Sequence, residues 1–117
     1  MCKRITIAMI DIKDFEKVEV RVGTVVEVVE NIKARHPAYI LTIDFGDKIG
    51  IKKSSARITD LYTPYNLVGT QVACCVNLPP MHIGSVKSEV RILGSDSEQG
   101  VVLLRPDRSV ENGDRVF

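Results

Sequence analysis

The chain has 117 residues, 26% of them charged, and a formal net charge of +1. That is enough for one domain with its own hydrophobic core, without disulfides or metals. So even a balance argues against a protein that coats nucleic acid or membrane by bulk electrostatics, and any basic site has to be local.

The three cysteines, Cys2, Cys74 and Cys75, are not the even, spaced set of a disulfide framework, and sequence neighbours are poorly placed to bridge each other. A reducing, cytoplasmic setting is expected. The start places Lys3 and Arg4 before Ile5 to Ile10, but this apolar run is shorter than a signal peptide, is broken by Thr6 and lacks a small-residue cleavage site. No stretch is long enough to span a bilayer, so no membrane insertion is expected.

Asp11 to Lys17 reads as one helical turn. Val18, Val20 and Val22 then alternate with Glu19 and Arg21, the pattern of a half-buried strand. Gly23 interrupts it, and Val25, Val26, Val28 and Val29 occupy both faces beyond, so the strand is expected to bend at a glycine bulge and to continue with both sides covered. The polar segment from Glu30 to Pro37 reads as a loop. Tyr39, Leu41, Ile43 and Phe45 mark a second strand, and Gly46-Asp47 a short turn into a third, with Ile49 and Ile51 facing the core and Lys48 and Lys52 facing outward. Ser54-Ser55 is expected to cap a helix running to about Tyr62 and stopped by Pro64.

A fourth strand runs from Gln71 to Asn77 and ends at Pro79-Pro80, which have no N–H to donate. The loop from Met81 to Lys87 follows, then strands at Val90 and Ile92 and at Val101 to Leu104. This order predicts an all-β fold, a five-stranded OB barrel with one short internal helix, whose usual binding face lies on strands 2 and 3. One domain is expected over 1–117, with the barrel core at about 15–93 and extensions 1–14 and 94–117.

Catalytic and metal chemistry find little material. His36 and His82 are the only histidines, and neither falls in a zinc spacing. Cys74 and Cys75 lie in an apolar strand, where packing outweighs reactivity, and Asp44 before Phe45-Gly46 suits a turn better than a general base. No catalytic residue, metal or cofactor is expected. Binding finds more. Lys33, Arg35 and His36 in the first loop, Lys48 and Lys52 on strand 3, and Lys53 and Arg57 after it either converge on one groove or are solvated charges balanced by Glu27, Glu30 and Asp47. Tyr39 is either a base-stacking platform or core. The Met81–Lys87 loop is unusually apolar, with Pro79, Pro80, Met81, Ile83 and Val86 around His82 and Lys87. Such a cluster at a binding rim suggests a peptide surface.

Several runs carry a resemblance: Val20-Arg21-Val22-Gly23, Lys33 to Ala38, Ile43-Asp44-Phe45-Gly46, Leu67-Val68-Gly69 and Val76-Asn77-Leu78-Pro79-Pro80. Together they resemble the tRNA-binding-domain superfamily of OB folds. Within it, Gly50 to Thr59, Val86 to Val90 and Val102 to Asp107 resemble the CsaA-like export chaperones. The resemblance implies a non-catalytic, homodimeric chaperone that binds unfolded or preprotein segments, with a free-standing tRNA-binding protein as the alternative. The chain departs from the CsaA pattern at Met81, Ser85 and Val86, where arginine, glycine and phenylalanine are usual. The tRNA-binding members also follow their serine with Gly-Met, whereas Ser88-Glu89 here precedes Val90. The expected peptide site is Met81, His82, Ile83, Val86 and Lys87. The expected basic rim or tRNA-binding set is Lys33, Arg35, Lys52, Lys53 and Ser88. Ile5 to Ile10 and Val101 to Leu104 are expected at a twofold interface.

Overall fold

The structure, a computed structural model, describes residues 3–117, so Met1 and Cys2 lie outside it. The chain opens on an extended, exposed arm. Helix α1 (Ile12–Glu16) follows, started by the Asp11 carboxylate accepting the Lys13 N–H at 3.1 Å. Strands β1 (Val20–Glu30), β2 (Tyr39–Asp44), β3 (Ile51–Ala56), β4 (Gln71–Cys75) and β7 (Arg91–Ile92) form one antiparallel sheet in the order β3-β2-β1-β4-β7. Between β4 and β7 lies a hairpin of β5 (Met81–Ile83) and β6 (Val86–Ser88). The sheet curls until β3 meets the end of that hairpin, where the Glu89 N–H donates to the Lys53 carbonyl at 2.8 Å. The result is the expected OB-type barrel.

Side chains at Val25, Leu41, Ile43, Phe45, Leu67, Val72 and Cys74 fill the interior and are almost wholly excluded from water. Full burial of a Leu, Ile or Phe stabilises by about 1.5–3 kcal/mol each. Gly23 is needed for packing rather than for a bulge, since a Cβ there would sit 2.6 Å from Ile43 Cγ2 and 2.8 Å from Phe45 Cδ1. The register break that bends β1 falls later, between Val25 and Glu27. It leaves Val26 and Val29 46% exposed, so the expectation that both faces are covered there does not hold.

Two other expectations change. The turn after Phe45 is longer than Gly46-Asp47: the Gly50 N–H donates to the Gly46 carbonyl at 2.7 Å and the Phe45 N–H to the Gly50 carbonyl at 3.0 Å, with φ of 86° and 88° at the two glycines. The longer turn shifts the phase of β3 by one residue, and such a shift exchanges the two faces of a strand. Ile51 is therefore 61% exposed, while Lys52, Ser54 and Ala56 stand opposite Ile43, Leu41 and Tyr39. The expected helix from Ser54 is also absent, because Ser54 is buried in β3 and the Ser55 N–H donates to Ser88 Oγ at 3.0 Å. The internal helix is α2 (Pro64–Leu67), which Pro64 begins rather than ends. Thr63 and Asn66 exchange hydrogen bonds as a capping box, with proline in the first turn, where a missing N–H costs nothing.

The C-terminal extension is built into the barrel. Strands β8 (Gly94–Ser95) and β9 (Val102–Leu103) pair and bring Leu103 into the core, and β10 (Arg115–Val116) pairs with Val20 and Arg21 of β1. Thr24 Oγ1 donates to Asn112 Oδ1 at 2.7 Å, and Gln71 Nε2 to the Val110 carbonyl at 2.6 Å. The arm is different: Ile5, Ile7 and Met9 are 84%, 78% and 89% exposed.

Candidate binding cleft

The hairpin β5–β6 sorts the predicted peptide residues by face. Met81 pairs with Ser88, His82 with Lys87 and Ile83 with Val86. Directly opposed residues share a face and neighbours alternate, so Met81, Ile83, Val86 and Ser88 lie together while His82 and Lys87 occupy the reverse. The expected mixture of apolar centre and Lys87 rim is thereby split between two faces.

The hairpin is held by a buried polar cluster that the sequence reading missed. Asn31, at the end of β1, is buried, and its Nδ2 donates to the Ile83 carbonyl and to Ser55 Oγ, both at 3.1 Å. The Ser55 N–H reaches Ser88 Oγ, so Ser88 serves the structure here. The tip of the hairpin lies on the Glu30–Pro37 loop so closely that a Cβ on Gly84 would fall 2.9 Å from the Lys33 carbonyl carbon. An asparagine at a strand end carries no local signal of such a role, because its partners lie 24 and 52 residues away.

Below the hairpin runs an open cleft of ≈ 410 Å³, within the range of about 300–1,000 Å³ usual for ligand sites. Met81, Ile83, Leu78 and Pro79 form an apolar wall, and Val90, Ile92 and Val101 continue it. The polar lining is Arg57, Glu89, Arg91 and Asp96, with Ser54, Ser55 and Ser88 at the β3 edge. The charge of Lys52 is matched by a residue of this lining, its Nζ lying 3.8 Å from Glu89 Oε2. Among the described residues Arg57 and Arg91 form no ion pair. The free cations of the cleft are thus two arginines, of which the sequence reading named only Arg57, as part of a general basic set.

Lys33, Arg35 and His36 are exposed and do not line this cleft. Arg35 and His36 border a second hollow of ≈ 390 Å³ with Asn31, Pro37 and Tyr39. Tyr39 is core: it is buried, and its hydroxyl donates to the Tyr62 carbonyl at 2.9 Å. Lys53 is exposed on the outer face of the sheet beside Thr42. Asp44 accepts the Gly46 N–H at 2.9 Å, a turn contact. Burial, and secondarily the neighbouring Cys75, push the Cys74 thiol up to about 12, so it stays protonated and packs as a small apolar group. Among the described residues no three His, Cys, Asp or Glu side chains stand close enough to hold a metal ion, and no helix is long and apolar enough to cross a membrane.

The family model described as "Putative tRNA binding domain" matches residues 20–115, from the start of β1 to the start of β10. The chain belongs to the tRNA-binding-domain family. Two solved structures of family-like fold are CsaA chaperones. That of Bacillus anthracis is 42% identical, with a TM-score of 0.88 over 94% of this chain and 100% of its own. That of Picrophilus torridus is 44% identical, with a TM-score of 0.89 over 93% and 100%. A curated relative, the methionine–tRNA ligase of Methanothrix thermoacetophila, is 37% identical over 90% of this chain, which spans only 15% of that enzyme's length. The barrel is thus similar both to free-standing chaperones and to a small part of a much longer ligase.

Proposed function

We propose that this tRNA-binding-domain protein is a non-catalytic chaperone that binds unfolded or preprotein polypeptide segments in the cytoplasm and serves protein export, without a cofactor. The observation that carries this reading is the open apolar cleft, in which Met81 is 65% and Leu78 48% exposed at the wall. Moving client side chains from water onto such a wall contributes roughly 25 cal/mol for each Å² of apolar surface buried. The likeness to CsaA chaperones across nearly the whole chain supports it. The methionine–tRNA ligase's activity is not carried over, because the chain spans so little of that enzyme.

A second reading, tRNA binding, is favoured by the family itself and by exposed Lys53, Lys33 and Arg35. Salt separates the two. Protection of a chemically denatured client from aggregation, followed by light scattering, should change only modestly between 50 and 200 mM salt. A tRNA complex resting on six or more phosphate contacts would lose about a thousandfold in affinity over the same range. A tight, steeply salt-dependent tRNA complex with no client protection would replace the chaperone reading.

The reading includes a homodimer. Ile5, Ile7, Met9 and Ile10 are exposed in succession along the N-terminal arm, and a run of exposed apolar side chains suits an interaction site. Sedimentation at micromolar concentration should give twice the 13.0 kDa of one chain; a single species at the monomer mass would remove this part of the proposal.

A further inference from the structure

Of the four asparagines in the chain, Asn31, Asn66 and Asn77 precede Ile32, Leu67 and Leu78, and Asn112 alone precedes a glycine. The distinction is chemical. An asparagine deamidates when the backbone nitrogen of the next residue attacks its side-chain carbonyl carbon. A bulky side chain on that residue hinders the attack, whereas glycine leaves the nitrogen accessible and the backbone free to turn. In the structure this reactive pair is locked. Glu111 to Asp114 form a turn closed by the Asp114 N–H on the Glu111 carbonyl at 3.1 Å, with Gly113 at φ 94°, a conformation that suits glycine. The attacking nitrogen is engaged, its N–H donating to the Val22 carbonyl at 2.7 Å. Asn112 Oδ1 accepts from Thr24 Oγ1 at 2.7 Å and from Gln71 Nε2 at 3.3 Å. Gln71 also holds Val110 at two points, accepting its N–H at 3.0 Å and donating to its carbonyl at 2.6 Å. The turn lies backbone to backbone on the Phe45-Gly46 turn: a Cβ on Gly113 would fall 2.6 Å from the Phe45 carbonyl oxygen, and one on Gly46 2.7 Å from that of Asn112.

We propose that Asn112-Gly113 is a deamidation site gated by this latch, protected while Val110 to Val116 lies on β1 and β4 and reactive when that segment lifts. Val110, Glu111 and Asp114 to Phe117 are exposed, and a segment with few buried apolar contacts opens at a lower free energy than the core strands. In the open state the Gly113 nitrogen gives up its proton to solvent and bonds to Asn112 Cγ, and ammonia leaves, closing a five-membered succinimide. Water then opens the ring at either of its carbonyls. One water enters and one ammonia departs, and no oxidant is needed. Opening at one carbonyl gives aspartate on an unchanged main chain, whose carboxylate still accepts from Thr24 and Gln71. Opening at the other gives isoaspartate, whose main chain runs through the former Cβ and is one carbon longer. That extra atom finds no room where the two turns already meet, so the isoaspartate form does not latch again. The site is thereby a one-way device: it converts transient lifting into permanent release of β10 from Val20 and Arg21.

The test keeps the full chain in mildly alkaline buffer and follows Asn112 by peptide mapping, which separates asparagine, aspartate and isoaspartate. Since reaction follows the population of the open form, the folded parent is expected to convert roughly tenfold or more slowly than the same chain in urea. Thr24→Val and Gln71→Ala each remove a donor to the Asn112 oxygen. Each should accelerate conversion in the folded chain by roughly threefold or more while amide exchange in β2 stays unchanged, which assigns the effect to the latch and not to a weakened barrel. In the purified isoaspartate form the Val22 amide, which donates to the Asp114 carbonyl at 3.0 Å in the latched chain, should exchange roughly tenfold faster. Equal conversion in the folded and unfolded chains, no acceleration in either variant, or acceleration matched by faster exchange in β2 would overturn the gated site. An isoaspartate form whose Val22 amide is as protected as the parent's would overturn the one-way release.

Discussion

Strand β3 meets two environments within five residues. At Lys53 and Ser55 its outer edge is closed by Glu89 and Ser88, and Asn31 ties this junction to the Ile83 carbonyl and so to the hairpin. Arg57, the first residue past the end of β3, borders the cleft. The difference lies in what the chain places opposite: Glu89 and Ser88, which reach the strand, in one case, and the cleft-lining Arg91 and Ile92 in the other. The barrel thus holds its shape through the end of the seam at Ser55, which Asn31 and Ser88 brace.

Breaking the closed end should have the largest effect on stability. Asn31→Ala removes a buried donor from the Ile83 carbonyl and Ser55 Oγ, and leaving buried polar groups unpaired costs about 1–3 kcal/mol. The expected outcome is a loss of that size in chemical denaturation. Amide exchange should also accelerate at Met81 to Ser88, more than in β1 or β2. Uniform acceleration across the barrel would mean that the asparagine stabilises the fold at large and is no specific clamp on the hairpin.

Much of the fold was legible because its signal is local. Alternation at Tyr39, Leu41, Ile43 and Phe45 identifies β2 and its inward face, and all four are buried. Asp11 and Lys17 bracket the helical turn α1 as expected. The third strand shows where local reading stops. Two glycines, Gly46 and Gly50, with φ near +90° lengthen its turn and reverse its phase, and nothing in Lys48 to Lys53 announces that reversal. Ser54-Ser55 looks like a cap because serine is a good cap, yet pairing with Leu41 and Ile40 outweighs that local preference. Pro64 suits a helix stop by the same local logic, although proline serves equally well as a start.

The site was legible in part. The apolar character of Met81 and Ile83 pointed to the wall they form, since an apolar run in a loop has no core to enter. The charges around it were misplaced. Lys87 sits in the same segment but pairs with His82 on the reverse face, and Lys52 belongs to Glu89, 37 residues away in sequence. Arg91 was unreadable as a site residue because its place in the cleft depends on how β7 leaves the hairpin.

If clients bind on the Met81–Ile83 face of the hairpin, the double variant Met81→Ser, Ile83→Ser should show it in an aggregation-protection assay. Met81 is exposed and Ile83 only partly buried, so the fold should survive the change, as a thermal melt will verify. The account predicts that the folded variant loses suppression of aggregation of a denatured client while any tRNA binding stays within twofold of the parent. A folded variant that protects the client as well as the parent does, while Lys53→Ala weakens a salt-sensitive tRNA complex, would contradict it.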